Sequence, residues 1–192
     1  MSREKENKIR SFICLEIPKN IRETIDRNVT RQLKDCGVKC SWVKPENIHI
    51  TLKFLGDIPE KIVPKISEIL EKTVGDYNAI SLSLGKVGKF GGRTPRVIWV
   101  GNVGETEALK SLAESVDKSL LSIGFKREKR KFSPHLTIGR VRNPKGTDKL
   151  LRLIDEIELP ETNFVVKRVI LMKSELSPGG SIYTPLAEFE LK

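Results

Sequence analysis

The sequence predicts an α+β fold of two similar lobes, each with helices and an antiparallel sheet. Strand-type and helical segments follow one another without the regular order of a βαβ array. Each half of the chain passes through a helix and then reaches a strand that carries His-x-Thr. No glycine-rich phosphate loop of the Walker or dinucleotide type is present. A length of 192 residues suits one domain built from two such lobes.

The first half is predicted to contain three strands and two helices. Apolar or alternating runs mark the strands, at residues 11–17, 39–43 and 48–56. Apolar residues that recur every third or fourth position mark the helices, at residues 21–33 and 59–70. Pro18 ends the first strand, Gly37 follows the first helix, and Pro59 suits the first turn of the second. The charged residues 1–9 are expected to fray.

The second half repeats this order with more strands. The predicted strands cover residues 79–87, 96–101, 135–141, 164–174 and 182–191. Helical spacing marks residues 109–120 and a shorter segment at 149–154. A glycine-rich loop at 88–95 and the turn SPGGS at 177–181 connect neighbouring strands. We therefore expect mostly antiparallel neighbours in the second sheet.

Composition excludes several classes of protein. No stretch approaches the roughly 18 apolar residues of a membrane span, and the charged start lacks the apolar region of a signal peptide. Three cysteines without a Cys-x-x-Cys spacing argue against a disulfide framework or a zinc site. Free thiols fit a reducing compartment, so we expect a cytoplasmic protein with no membrane partner.

The charge of the chain favours an anionic partner. The formal net charge is +10, and the densest basic cluster is FKREKRKF at residues 125–132. It lies shortly before the second His-x-Thr strand. We predict that Lys129, Arg130 and Lys131 bind RNA phosphates. The alternative is a solvated basic loop with no partner.

The only two histidines of the chain stand in matching four-letter settings, HITL at residues 49–52 and HLTI at 135–138. In a strand, residues two apart point to the same face. His49 therefore shares a face with Thr51, and His135 with Thr137, while the residues between them point into a core. A lone histidine in a strand is usually a structural residue, but the repeated pattern favours a functional pair. Without a nearby third ligand, the pair makes a poor metal site.

Two imidazoles and two hydroxyls suit displacement at phosphorus. Such a reaction needs a base for the attacking oxygen and an acid for the leaving oxygen, on opposite sides of the phosphorus. Histidine can be neutral in one copy and charged in the other near neutral pH. The hydroxyls can donate hydrogen bonds to the non-bridging oxygens. This set requires no metal.

These residues resemble the 2H phosphoesterases, in the branch of RNA 2′,3′-cyclic phosphodiesterases that are also called 2′-5′ RNA ligases. HITL and HLTI match the paired motifs that define the family. The resemblance extends to SFICLEIP, WVKPENIHITLKFLGDI, GGRTPRVIWVG, FSPHLTIGRV and YTPLAEFEL, and so covers nearly the whole chain from about residue 10.

The resemblance implies a bilobal, pseudo-two-fold fold of two antiparallel sheets with outer helices and a central V-shaped cleft. It implies hydrolysis of 2′,3′-cyclic phosphate ends of RNA to 2′-phosphates, without metal or other cofactor, by His49 as proton donor and His135 as proton acceptor. Fragments of tRNA are one expected source of such ends, and we expect a monomer. Arg140 also matches the family. Strict alternation places it opposite His135, but a bulge at Gly139 would return it to the same face for phosphate binding.

Among the aromatic residues, Phe90 in the glycine-rich loop is the best candidate for contact with a base. Trp99 lies inside an apolar strand and is predicted to belong to the core. Two other functions remain open at this point. An ATP-independent 2′-5′ ligase would use the same histidines in the reverse direction. A non-catalytic RNA-end-binding protein would use the charge, but gives no reason for the paired motifs.

Overall fold

The computed structural model describes residues 7–92, 94–143 and 145–192, and these residues form nine strands and five α-helices. The strands are β1 (Lys8–Glu16), β2 (Cys40–Trp42), β3 (His49–Pro59), β4 (Ile80–Phe90), β5 (Val97–Gly104), β6 (His135–Val141), β7 (Asn163–Val166), β8 (Arg168–Ser177) and β9 (Gly180–Glu190). The helices are α1 (Lys19–Ile25), α2 (Arg31–Lys34), α3 (Val63–Val74), α4 (Thr106–Ser119) and α5 (Asp148–Glu156). A π-helical segment, Asp26–Thr30, joins α1 to α2.

The strands form one antiparallel sheet in the order β7-β4-β5-β6-β3-β1-β8-β9, with β2 paired to β6. The two predicted sheets are the two halves of this sheet. They meet at β3 and β6 through a single residue pair, Ile50 with Leu136. Neighbouring positions on either side are not paired, so the sheet is creased there. The two motif strands thus lie side by side at the crease.

Two expectations about the strands were wrong. The run at 164–174 is not one strand: it divides at Lys167 into β7, which pairs with β4, and β8, which pairs with β1 and β9. A continuous β-branched run carries no signal for this change of partner. The expected fraying of residues 1–9 does not extend to β1, which begins at Lys8 opposite Pro59. Residues 1–6 lie outside the described residues.

One apolar core lies beneath both halves of the sheet. Ile50 and Leu136 are fully buried in it, so the crease is closed on the helix side. The helices α3 and α4 pack against each other, and α4 also contacts β3 and β4. The opposite face of β1 and β8 carries a small second cluster of Phe12, Cys14 and Ile170. This second face is the one on which His49 lies.

A β-bulge interrupts each motif strand at the same place. Leu52 in β3 and Ile138 in β6 are each the extra residue between two paired positions. Each is the fourth letter of its motif, HITL or HLTI. A bulge resets the alternation of side chains, so the residues two places beyond it, Phe54 and Arg140, return to the face of the histidines.

Candidate active site

The crease brings the two motifs together with two-fold symmetry. Because Ile50 pairs with Leu136 in antiparallel register, continuing that register sets His49 opposite Thr137 and Thr51 opposite His135. All four side chains lie on the face opposite the buried pair. Each imidazole therefore has one threonine on its own strand and one across the crease.

Both imidazoles are held in the same tautomer by the same kind of hydrogen bond to the backbone. His49 Nδ1 is 2.7 Å from the carbonyl oxygen of Asn47, and His135 Nδ1 is 2.7 Å from that of Ser133. A carbonyl oxygen only accepts hydrogen bonds, so each Nδ1 carries a proton. The Nε2 atoms are left for proton exchange. This carbonyl, two residues before each histidine, fixes both rings for acid–base work.

The two imidazoles differ at Nε2. His49 Nε2 lies 3.0 Å from Thr51 Oγ1. In the neutral ring this nitrogen is an acceptor, so the Thr51 hydroxyl donates to it. Within the described residues, Thr137 makes no matching bond to His135. The symmetry of the backbone is therefore broken in the side chains.

The surroundings of both histidines lower their pKa and so favour the neutral ring. The pKa of His49 is lowered from 6.5 to about 4, mainly because the ring is buried; the hydrogen bond to the Asn47 carbonyl raises the pKa, and nearby Arg140 and His135 lower it. Burial and Arg140 also lower the pKa of His135. That Arg140 acts on both rings agrees with its return to the cleft face.

Arg140 is free to bind a ligand. It is exposed, and no described residue forms an ion pair or hydrogen bond with its guanidinium. By contrast, Arg168 pairs with three glutamates. The bulge at Ile138 also explains Gly139: a Cβ there would lie 2.8 Å from Cys40 Sγ and 2.9 Å from Trp42 Cε3. Only glycine allows β2 to lie this close to β6.

Aromatic rings surround each imidazole. Phe12 stacks on His49 with ring centroids 4.9 Å apart, and Tyr183 meets it edge-on at 5.5 Å. Phe90 meets His135 edge-on at 4.9 Å. The prediction that Trp99 belongs to the core was wrong: it is half-buried, and its ring centroid lies 6.5 Å from that of His135. Its strand is apolar on both faces, so the pattern does not reveal that Trp99 faces the cleft.

The first residues of the basic run at 125–132 are held by hydrogen bonds to β3 and α4, whereas residues 129–131 are exposed. A buried ion pair joins Lys53 of β3 to Asp117 of α4. Lys53 Nζ also donates to the Lys126 carbonyl at 2.9 Å, and the Glu128 N–H donates to the Asp117 carboxylate at 3.1 Å. Residues 129–131 are exposed just before β6. No described contact joins them to either histidine, so their role in RNA binding stays a prediction.

Sequence reasoning missed Asn47. Its carbonyl accepts from His49, and its side-chain amide donates to the Ser181 carbonyl of the β9 strand at 2.8 Å. Asn47 therefore ties the strand that carries Tyr183 to the turn that holds His49. The sequence also does not predict the Lys53–Asp117 ion pair, because its two members are 64 residues apart in the chain.

The described residues contain no group of three or more His, Cys, Asp or Glu side chains arranged to hold a metal ion. In the same residues, no helix is long and apolar enough to cross a membrane.

Comparisons with known proteins agree with this geometry. A family model described as the 2′-5′ RNA ligase superfamily matches residues 24–178. The RNA 2′,3′-cyclic phosphodiesterase of Methanothermobacter thermautotrophicus is 36% identical over 186 residues, covering 96% of this chain and 100% of that protein. The protein of the same name from Methanocaldococcus jannaschii is 37% identical over 186 residues, covering 94% of this chain and 100% of that one.

Solved structures share the fold. A crystal structure of E. coli LigT complexed with 3′-AMP has a TM-score of 0.76 at 23% identity, covering 97% of this chain and 99% of that one. The structure of TT0787 from Thermus thermophilus has a TM-score of 0.77 at 24% identity, covering 95% and 98%. The predicted fold class is thereby confirmed.

Proposed function

The chain belongs to the 2′-5′ RNA ligase superfamily, within the 2H phosphoesterases, and we propose that it is an RNA 2′,3′-cyclic phosphodiesterase. It hydrolyses the cyclic phosphate at an RNA end and leaves a 2′-phosphate and a 3′-hydroxyl. The observation that carries the proposal is the pair of imidazoles. Both are fixed as Nδ1–H tautomers on one face of the crease, which leaves two Nε2 atoms for proton transfer.

The reaction balances with these two atoms and one water. His135 Nε2 removes a proton from water as its oxygen attacks phosphorus. The bond from phosphorus to the 3′ oxygen breaks, and His49 Nε2–H delivers a proton to that oxygen. His135 ends protonated and His49 neutral, so exchange with solvent resets both rings. The assignment of donor and acceptor follows the family resemblance.

His49 must gain a proton before it can act as the acid. Its pKa of about 4 keeps it neutral in the free protein near neutral pH. An anionic phosphate beside the ring favours the charged form and raises that pKa. Protonated Nε2 can no longer accept from Thr51, so the Thr51 hydroxyl turns to a phosphate oxygen. Substrate binding thus protonates His49 Nε2 and releases the Thr51 hydroxyl from it in one step.

The remaining residues hold charge and substrate. Thr51 and Thr137 donate to the non-bridging oxygens, where negative charge grows in the transition state. Arg140 adds a cation at the same phosphate. Phe90 supplies an aromatic wall for the substrate beside His135, supported by their 4.9 Å contact. No metal takes part in this scheme.

RNA is the partner, and the net charge of +10 supports it. We further propose that residues 129–131 follow the RNA backbone, that tRNA fragments are among the substrates, and that the protein acts as a cytoplasmic monomer. Three unpaired cysteines support a reducing compartment.

One experiment tests the function. An oligonucleotide that ends in a 2′,3′-cyclic phosphate is incubated with the protein in EDTA, and the product end is identified. His49→Ala and His135→Ala should each lower turnover by about 10² to 10⁴, because each removes an acid or a base. Ser133→Ala is the matched control, since it keeps the carbonyl that holds His135. Binding without turnover in the unmodified protein would leave only the RNA-end-binding alternative, and a joined product with a 5′-hydroxyl oligonucleotide would show ligation.

A further inference from the structure

A second group of cations lies beyond Arg140, where β2 is paired to the end of β6. Arg142 follows Arg140 by two residues and is exposed. Lys39 directly precedes β2 and is exposed as well. Across residues 7–92, 94–143 and 145–192, neither Lys39 nor Arg142 forms an ion pair. Together with Ser41, which lies between them, these two residues are called the β2–β6 cluster below.

Strand pairing places the β2–β6 cluster on the face of the sheet that carries the histidines. Ser41 is paired with Arg140, and directly opposite residues of antiparallel strands share a face. The Arg142 N–H donates to the Lys39 carbonyl at 2.8 Å, so the same register sets Lys39 opposite Arg142. Val141, between the two arginines, packs against the core on the other face. The cluster therefore continues the cleft surface past Arg140.

The two cations of the cluster repel each other when no ligand is bound. Like charges on directly opposite residues of an antiparallel pair are destabilising. Lys39 and Arg142 are such a pair, and Arg140 adds a third positive charge on the same face. An anion bound among them would replace this repulsion with charge-assisted hydrogen bonds. The arrangement is thus a cost to the fold and an advantage to an anionic ligand.

Ser41 orients the Arg142 side chain. The Arg142 Nε–H donates to Ser41 Oγ at 2.7 Å. A guanidinium has five N–H donors, so the terminal nitrogens of Arg142 remain available for two parallel bonds to a phosphate. The Ser41 hydroxyl accepts the bond from Arg142 and keeps its own O–H for a ligand oxygen. All three residues of the cluster can therefore donate to one phosphate.

The position of the cluster indicates which phosphate it binds. Residues two apart in a strand are about 6.6 Å apart, so Arg142 lies about one phosphate spacing of an RNA strand beyond Arg140. An RNA end with a 2′,3′-cyclic phosphate has one neighbouring phosphate, on the 5′ oxygen of the same nucleotide. We propose that Lys39, Ser41 and Arg142 bind this 5′ phosphate while Arg140 binds the cyclic phosphate. This inference rests on the proposed function, and it makes a 5′-phosphorylated nucleotide a better substrate than a nucleoside cyclic phosphate.

The test compares two substrates that differ only in the 5′ phosphate, adenosine 2′,3′-cyclic phosphate and its 5′-phosphorylated form. The unmodified protein should have the lower KM for the 5′-phosphorylated form. Arg142→Ala should raise that KM by about 3-fold to 10-fold, the range for a charged hydrogen bond that stays in contact with water. KM for adenosine 2′,3′-cyclic phosphate, and kcat for both substrates, should change far less.

Further variants test whether charge is the cause. Arg142→Lys keeps a cation and should retain part of the preference for the 5′ phosphate, whereas Lys39→Gln should lose part of it. The midpoint of thermal unfolding should not fall in Lys39→Gln, because this change removes a repulsion. Arg152→Ala is the matched control: it removes an exposed arginine from α5 and should leave both values of KM unchanged.

Equal rises in KM for both substrates in Arg142→Ala would overturn the proposal, because Arg142 would then act on the reacting phosphate or on the fold. Equal KM values of the unmodified protein for the two substrates would overturn it as well. The same holds if the preference survives in Arg142→Ala but is lost when residues 129–131 are replaced with alanine.

Calorimetric binding of adenosine 2′-phosphate and adenosine 2′,5′-bisphosphate separates this inference from the proposed function, because neither ligand needs to react. If the protein hydrolyses neither cyclic substrate but Arg142→Ala still loses only the preference for the bisphosphate, the 5′-phosphate site stands and the activity fails. If hydrolysis proceeds but the unmodified protein binds both ligands equally well, the activity stands and the 5′-phosphate site fails.

Discussion

Acid should destabilise this protein in part through His49. In the folded state burial lowers the pKa of this imidazole from 6.5 to about 4, whereas the unfolded chain keeps the ordinary value. Between these two values the unfolded state binds more protons than the folded state. The contribution of His49 to stability is therefore complete above about pH 6.5 and is lost as pH falls toward 4.

The size of the effect follows from the two pKa values. Lowering the pH from 7 to 5 protonates nearly all unfolded chains at this position but few folded ones, which costs roughly 2 kcal/mol. The ring keeps a partly exposed edge, so this figure is an upper value. A loss of this size is a large fraction of the stability of an ordinary domain.

Urea unfolding at a series of pH values measures how the free energy of unfolding changes with pH. Glutamine does not titrate, so His49→Gln should lose about 1–2 kcal/mol less unfolding free energy than the unmodified protein when the pH is lowered from 7 to 5. Tyr183→Phe is the matched control: it changes a ring that touches His49 but leaves the imidazole in place, so it should keep the slope. If His49→Gln and the unmodified protein show parallel curves, the imidazole is not held neutral by burial, and the proton-loading step proposed above is wrong.

Substitutions at three other places test the structure around the imidazoles. Lys53→Met should cost about 3–5 kcal/mol in urea unfolding, because it removes the buried cation of the Asp117 carboxylate and leaves only the exposed Arg127, 3.8 Å away. Combining it with Asp117→Leu should recover part of that loss. Gly139→Ala should lower both stability and turnover, since its Cβ would lie within 2.8–2.9 Å of β2 side-chain atoms, and normal values for both would show that the strands can separate. Replacing residues 129–131 with alanine should weaken single-stranded RNA binding and reduce the salt slope by up to about 0.7 for each phosphate that is no longer bound, with turnover of a mononucleotide unchanged.

The shared face of the histidine and the threonine within each motif could be predicted because it depends on local rules. Alternation in a strand sets His49 and Thr51 on one face, and a repeated four-letter pattern is visible in the sequence. The helices were predictable for the same reason, since their apolar spacing is local. That the two strands meet at a crease came from the family resemblance rather than from spacing.

What could not be predicted depends on contacts between distant segments. Gly139 allows a bulge in the second motif strand, and the structure has it one residue earlier, at Ile138. The matching bulge at Leu52 cannot be predicted, because no glycine marks it. Strict alternation would place Lys53 on the cleft face, whereas the structure turns it to the helix side toward Asp117. The pair forms only when α4 packs on β3, and the spacing of apolar residues in the sequence does not predict which helix packs on which strand.

The matching bulges make the spacing within each motif strand as important as its residues. Loops usually tolerate the deletion or insertion of a residue, because their side chains do not alternate between two faces of a sheet. Adding one residue between Gly139 and Arg140 would shift the alternation by one place, and Arg140 would then point toward the helices while His135 and Thr137 stayed in the cleft. Such an insertion would keep both imidazoles and both hydroxyls but lose the guanidinium, so weakened phosphate binding by a folded protein is its expected result. A chain of this family can therefore lose part of its site without any substitution in a functional residue.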